Sequence, residues 1–190
     1  MTVSKRLGVI LLAVTVLLAL PQPARAKTIK VGDGTAASCT EAALQNALVF
    51  AAGEKSSVIE FRCGAAPIAI TVTATLTPPD NTTIDGDGLV RLQGNIPAAL
   101  MASVGGAFLN SNTGTLVIDS SSITGNTAAL GRSGQGTGGG VSNQGILRIR
   151  NSLVTGNAAA VDGGGIYSVG GTLTLNDTIV FGNTPNNVVQ

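Results

Sequence analysis

The 190-residue chain contains no histidine and no tryptophan, and only 3% of its residues are aromatic and 11% charged. Without histidine there is no imidazole general base, no Ser-His-Asp or Cys-His arrangement and no zinc site that needs imidazole. Charged residues usually make up about a quarter of a soluble domain, which is more than twice the fraction in this chain. A coiled coil and a charge-rich disordered chain are therefore both excluded. Glycine is abundant, with 26 residues, which favours a chain with many tight turns.

The first 26 residues have the pattern of a secretory signal peptide. Lys5 and Arg6 form a basic start, residues 7–20 are an apolar run, and Ala24-Arg25-Ala26 is a small-x-small cleavage site. An uncleaved membrane anchor is the alternative, but a spanning helix needs about 20 apolar residues. We therefore expect cleavage before Lys27, export to the periplasm, the cell surface or the medium, and no membrane span in the mature chain.

Cleavage would also change the charge balance of the chain. The first 26 residues hold three of the 11 basic residues and none of the 10 acidic ones, which leaves a mature net charge of −2. Nucleic acid and anionic lipid headgroups are therefore poor candidate partners.

Both cysteines, Cys39 and Cys63, lie in the part of the chain that we expect to be exported. An even pair in an exported protein predicts a disulfide. Such a bond would close a loop of about 24 residues and stabilise the fold by about 3 kcal/mol. Two buried free thiols are the alternative.

One helix is predicted near the start of the mature chain, over residues 39–52. Residues 38–41 (SCTE) have the spacing of a capping box, and Gly53 stands where a C-terminal cap belongs. The apolar residues at helical spacing are Leu44, Ala47, Leu48 and Ala51. We assign residues 27–57 to an N-terminal cap, and short strands follow at residues 58–61, 68–76 and 82–84.

A 13-residue block then occurs three times. The blocks are GTLVIDSSSITGN (114–126), GILRIRNSLVTGN (145–157) and GTLTLNDTIVFGN (171–183), and each follows a Gly-Gly, small, apolar tetrapeptide. Repetition at this period predicts a solenoid. Residues 58–190 should form a parallel β-helix of about five to six coils, each built as strand, turn, strand, turn and strand.

Equivalent positions of the three blocks are chemically alike. Parallel coils in register would stack Leu116 with Leu147 and Leu173, and Ile123 with Val154 and Val180, at about 4.8 Å per step. Each block closes on Gly-Asn, and an Asn side chain can bond the backbone of a bend. Asn126, Asn157 and Asn183 are therefore predicted to form a structural Asn ladder.

With these motifs the chain resembles exported bacterial right-handed parallel β-helix proteins of the pectate-lyase-like superfamily, and more narrowly the repeat proteins related to polymorphic outer membrane proteins. Residues 105–108, 138–141 and 163–166 match the Gly-Gly-Ala-Ile-like motif of these repeats, and residues 123–126 and 154–157 match the spacing of their Phe-x-x-Asn motif. Residues 38–44 are similar to the Cys-Ser-Leu-Arg-Glu-Ala-Ile motif of their N-terminal caps, without its Leu-Arg.

Two groups of charged residues are candidate sites. Asp80, Asp85 and Asp87, with Arg91 nearby, could bind calcium or act in acid-base chemistry, as carboxylates do in β-helix lyases and glycosidases. Turn chemistry is the favoured interpretation, because Asp and Gly alternate there. Asp119, Arg150 and Asp177 could share an outward face, which we interpret as a solvated surface.

The expected function is a secreted or surface-exposed scaffold for cell-surface contact or adhesion, without enzymatic activity, cofactor or metal. The alternative is a small β-helix that binds or degrades polysaccharide, which depends on fold analogy. The expected partner of the exported protein is a surface polysaccharide or a protein. A last coil without a cover, near residues 180–183, would also offer a sheet edge for self-association.

Overall fold

The computed structural model describes residues 25–94, 106–130 and 135–190. It is a parallel β-solenoid of about five turns with one helix near its N-terminus, which confirms the predicted fold class. Apart from its last two residues, the predicted signal peptide lies outside the described residues. No helix in the three described segments is long and apolar enough to cross a membrane.

The strands are short, as the spacing of the turn residues predicts. In chain order they are β1 (Lys27–Val31), β2 (Ser57–Phe61), β3 (Ile68–Val72), β4 (Thr82–Asp85), β5 (Val90–Gly94), β6 (Phe108–Asn110), β7 (Thr115–Asp119), β8 (Ser122–Thr124), β9 (Thr127–Ala128), β10 (Val141–Asn143), β11 (Ile146–Arg150), β12 (Leu153–Thr155), β13 (Ala158–Ala159), β14 (Ile166–Tyr167), β15 (Thr172–Asn176), β16 (Ile179–Phe181) and β17 (Val188–Val189).

Three sheets run along the solenoid, and successive turns add strands to them. The first sheet has the order β1-β2-β4-β7-β11-β15, the second β16-β12-β8-β5-β3 and the third β17-β14-β10-β6. Strands β9 and β13 form a small fourth sheet. All the pairings are parallel, and the register places Leu147 between Leu116 and Leu173, as the repeat predicted.

The core is a set of apolar columns between the sheets. One column of the first sheet joins Ile29, Ile59, Ile84, Ile118, Ile149 and Leu175 in register. The four middle residues of this column are fully buried. β-branched side chains suit strands because their χ1 angle is already restricted, and full burial of each contributes about 1.5–3 kcal/mol.

The N-terminal helix, α1, spans Glu41–Ala51, and its buried residues are the four that the pattern predicted. Its N-cap differs from the prediction. Thr40 caps the helix by accepting a hydrogen bond from the amide of Ala43 at 3.2 Å, whereas Ser38 ends a short 3₁₀ helix over Ala36–Ser38. The capping-box prediction from residues 38–41 was therefore wrong by two positions, because the 3₁₀ turn takes up Ser38.

The other end of α1 also differs from the prediction. Ala52 is the C-cap in right-handed conformation, and Gly53 lacks the positive φ of a glycine cap. Glu41 has a tertiary role instead of completing a capping box. Its carboxylate accepts hydrogen bonds from the amide and hydroxyl of Thr73, at 2.7 and 2.6 Å, and from the amide of Ala74. This carboxylate fixes the helix to the chain that follows β3.

The structure contains the predicted disulfide between Cys39 and Cys63, whose Cα atoms are 5.6 Å apart. Cys39 precedes the helix and Cys63 follows β2, so the bond fastens the helical cap to the second turn. Strands β1 and β5 were not predicted. Strand β1 lies at the start of the region assigned to the N-terminal cap, and it pairs along its full length with β2 in the first sheet.

Candidate functional site

The corner between the first and second sheets has the same geometry in three successive turns. Ser120, Asn151 and Asp177 each begin this corner with a positive φ, of 46°, 49° and 47°. The next residue in each corner carries a hydroxyl, which donates a hydrogen bond to the carbonyl two residues earlier, as Ser121 does to Asp119 at 2.6 Å. A two-residue corner therefore repeats along the solenoid and places polar side chains at regular spacing.

One turn earlier the corner is longer and acidic. Four residues, 86–89, separate β4 from β5. The Oδ1 atom of Asp85 accepts a hydrogen bond from the amide of Asp87 at 3.0 Å, and Asp87 has a φ of 51°. This is an Asx turn, in which a carboxylate stabilises a tight bend. Gly86 is needed because a methyl group there would lie 2.6 Å from the Ser121 hydroxyl of the next corner.

A groove of about 660 Å³ runs across these corners. Its walls come from five places along the chain, namely residues 67–69, 88–91, 120–122, 151–153 and 177 with 179. Successive turns of a β-solenoid lie about 4.8 Å apart, so five turns give a groove about 19 Å long. We call this the corner groove. Its only charged side chains are Arg91 and Asp177, and the rest of its lining is hydroxyl, amide, glycine and aliphatic.

A second cavity, of about 390 Å³, lies on the first sheet. Its lining residues are Glu60, Phe61, Arg62, Asp85 and Asp87, and we call it the acidic cavity. The strand register places Asp85 beside Glu60 on one side and beside Asp119 on the other, so carboxylates occupy three consecutive strands. Like charges directly opposite one another on neighbouring strands repel each other.

Arg150 partly neutralises this acidic column. Its guanidinium lies 2.7 Å from the carboxylate of Asp119, which also accepts a hydrogen bond from the Asn151 amide at 3.0 Å. Both ionic side chains are partly exposed, so the pair contributes at most about 1 kcal/mol. The predicted neighbourhood of Asp119 and Arg150 is therefore present, whereas Asp177 lies around the corner in the groove.

The structure separates other residues that the sequence had grouped. Asp85 and Asp87 line the acidic cavity with Glu60, whereas Asp80 is outside it. Arg91 lies on β5 and lines the corner groove instead. No group of three carboxylate or cysteine side chains in the described part of the chain is arranged to hold a metal ion.

Several carboxylates act as structural acceptors elsewhere. Asp33 accepts hydrogen bonds from the hydroxyl and amide of Thr35, at 2.8 and 3.0 Å. Hydrogen bonding by the Thr35 hydroxyl, then by Ser38 and by the Thr35 amide, lowers the pKa of Asp33 below its ordinary value. Asp162 accepts hydrogen bonds from the amide of Gly163 and from the Asn186 side chain. These groups stabilise turns.

The three predicted ladder asparagines are stacked inside the solenoid and buried. The Oδ1 atom of Asn157 accepts from the amide and the side chain of Asn126, and the Oδ1 atom of Asn183 accepts in the same way from Asn157, all at 2.8–2.9 Å. Asn187 continues the series by accepting from Asn183. Within the described segments, the Oδ1 atom of Asn126 is the one buried side-chain nitrogen or oxygen without a hydrogen-bond partner.

A second polar ladder was missed by the sequence reasoning. Asn110 donates to the Oδ1 atom of Asn143 at 2.7 Å, and Asn143 donates to the Ser168 hydroxyl at 2.8 Å. The sequence does contain a pattern that predicts this ladder, because each of these residues stands two positions after the apolar residue of a Gly-Gly motif. Like the first ladder, this one is buried and satisfies backbone groups at a corner.

The protein is thus a parallel β-solenoid with a corner groove and a small acidic cavity. In comparisons with known proteins, no family model, curated protein or solved structure matches the chain.

Proposed function

We propose that this protein is an exported β-solenoid scaffold that contacts a surface polymer through the corner groove, without transforming it. The signal-peptide pattern of residues 1–26 supports export, and the Gly-Gly motifs support a relation to the pectate-lyase-like superfamily and to polymorphic outer membrane proteins. The observation that carries the proposal is the corner groove itself, a trough that crosses five turns.

The lining of the corner groove suits a neutral, hydroxyl-rich chain. Seryl hydroxyls and the Asn151 amide both donate and accept hydrogen bonds, as the hydroxyls of a polysaccharide do. Aliphatic side chains such as Leu153 and Ile179 add apolar contact surface between the polar positions. The repeat of about 4.8 Å between turns offers similar contacts at regular intervals to an extended polymer, and a surface polysaccharide is the partner that we favour.

Strand β8 provides a matched pair of variants for the test. Ser122 and Thr124 both face outward and are half-buried, but only Ser122 lines the corner groove. The Ser122→Trp change should fill the groove, whereas Thr124→Trp puts the same ring at the position that Phe181 occupies on β16. We expect purified residues 27–190 to retain a surface polysaccharide in a glycan-binding assay, and Ser122→Trp alone to lose it. Equal binding by both variants would contradict the groove as the contact site.

A second candidate function is polysaccharide cleavage at the acidic cavity. The observation that favours it is the meeting of Glu60, Asp85 and Asp87 with Arg62 around one cavity. β-helix lyases use carboxylates and an arginine, and this likeness in residue types is the support for cleavage at the acidic cavity. The test is incubation with acidic and neutral polysaccharides, with and without calcium, following new reducing ends and unsaturated products.

The controls for that assay come from either end of β4. If the acidic cavity is catalytic, Asp85→Ala should abolish turnover, and Asp80→Ala should leave it unchanged because Asp80 is outside the cavity. Absence of turnover across the panel would contradict cleavage and leave binding by the groove as the function to test.

A further inference from the structure

The last turn of the solenoid ends in three strands at sheet edges. Within the described residues, β15, β16 and β17 each have a partner on one side only. The opposite end of the solenoid is different, because α1 packs against β1, β2 and β3 there and buries Leu44, Ala47 and Leu48 against the core. A strand edge offers free amide and carbonyl groups to another strand, so the two ends differ in what they can bind.

The backbone of β15 shows which groups face outward. The amide of Thr172 donates to Gly145, and the carbonyl of Asn176 accepts from Asn151, so alternate residues of β15 bond to the β11 side. In a parallel strand the residues between them point their amide and carbonyl groups to the other side. The backbone groups of Leu173 and Leu175 therefore face the open end.

The three strands of this end expose large apolar side chains beside uncharged polar ones. Leu175 is the last residue of the apolar column that runs from Ile29 through the first sheet. It is 38% exposed, whereas Ile118 and Ile149 in the same column are fully buried. Ile179 and Phe181 on β16 are 63% and 54% exposed. Strands β15, β16 and β17 contain no charged residue, although exposed edge strands commonly carry charges that oppose pairing.

We propose that two copies of this chain join through their last turns, end to end, with β15 pairing antiparallel to its copy about a twofold axis at Thr174. A second copy fits because the three edge strands carry no charge that would repel their own copies, and because the second copy supplies an equal set of open edges. The helix at the other end prevents the head-to-tail stacking that would build a filament, so a closed dimer is the assembly that remains.

The geometry of the pairing follows from the strand. Thr174 is the middle residue of β15, so a twofold axis there places Leu173 opposite Leu175 of the second copy. The outward backbone groups of these leucines would exchange hydrogen bonds on both sides of the axis. Thr174 would then face its own copy as a non-hydrogen-bonded pair, with Cα atoms about 4.5 Å apart. The inference is independent of the polymer-binding function proposed above.

A cysteine pair tests this arrangement. In the proposed dimer, Thr174→Cys should form an intermolecular disulfide under mild oxidation, because disulfide-bonded Cα atoms lie about 4.4–6.8 Å apart. Arg148→Cys is the matched control, since Arg148 is the register neighbour of Thr174 on β11 and equally faces outward. Its two copies would be three strand spacings apart, about 14 Å, and should not cross-link.

Oligomeric state supplies the second measurement. Light scattering during size exclusion of residues 27–190 should give the mass of a dimer, and Leu175→Lys should shift it to a monomer with an unchanged circular dichroism spectrum. Val161→Lys, a change at an exposed apolar residue outside these strands, should leave the dimer intact. A monomeric wild-type protein, an open-ended series of larger species, or equal cross-linking at positions 148 and 174 would overturn the proposal.

Discussion

Removing one side chain from the Asn ladder tests how the solenoid is held together at its corners. In Asn157→Ala the protein loses four side-chain hydrogen bonds. Two of them are accepted from Asn126, and two are donated, to the carbonyl of Ile123 at 3.1 Å and to Asn183 at 2.9 Å. Asn157 is 1% exposed, so water cannot replace these partners without opening the corner.

The magnitude follows from which groups are left unpaired. Each lost hydrogen bond is worth about 1 kcal/mol net, and a buried group left without a partner costs about 1–3 kcal/mol. The amide of Asn126 is such a group, whereas its side-chain nitrogen keeps the carbonyls of Leu92 and Thr124. Since the lost bonds belong to one network and are not additive, we expect a loss of about 3–5 kcal/mol in the free energy of unfolding.

Urea unfolding followed by circular dichroism measures this change. Asn176→Ala is the control, because Asn176 is exposed on β15 and only its backbone carbonyl is used in a corner. Its effect should stay within about 0.5 kcal/mol. If Asn157→Ala were no more destabilising than Asn176→Ala, with the same dependence on urea concentration, the ladder would not be a source of stability and the reasoning would be refuted.

Three further predictions concern stability. Gly139→Ala should prevent folding or lower the unfolding free energy by several kcal/mol, because the added methyl group would overlap the carbonyl oxygens of Ala158 and Gly164. Gly53→Ala has space for the methyl group and should be nearly neutral. Thermal melts of the two variants would show this difference. Replacing Cys39 and Cys63 by serine should lower the unfolding free energy by about 3 kcal/mol for a loop of this length, and an unchanged urea midpoint would contradict this. Because folding lowers the pKa of Asp33, its contribution to stability is present above the unfolded pKa of about 4 and is lost as the pH falls through the folded value. The Asp33→Asn protein should therefore lose less stability than the wild type between about pH 5 and about pH 3, and parallel losses would contradict the assignment.

The repeated part of the chain was predictable because its information is local. Alternation along GILRIRNSLVTGN decides which side chains face inward, and comparison of the three blocks decides which residues stack. The register Ile123, Val154 and Val180 on adjacent strands is the one that the blocks predict. The second ladder, from Asn110 to Ser168, could have been found in the same way, because it too repeats once per turn.

The N-terminal region was harder to predict because it does not repeat. Whether Ser38 or Thr40 caps the helix depends on the 3₁₀ turn before it, and nothing in the local pattern distinguished the two residues. The Glu41 carboxylate accepts hydrogen bonds from Thr73, 32 residues away, and from Ala74. A contact of this separation depends on where the cap docks on the second turn.

Sequence alone was enough to predict the parallel solenoid, the inward columns, the stacked asparagines and the one possible disulfide, because period, residue type and cysteine number are properties of the chain. Which carboxylates meet depends on the folded chain. Between Asp85 and Arg91 the chain passes from the first sheet to the second, so Arg91 lines the groove, while Asp85 and Asp87 line the acidic cavity with Glu60. Residues close in sequence face different surfaces when a corner lies between them, and the folded chain is needed to show where each corner falls.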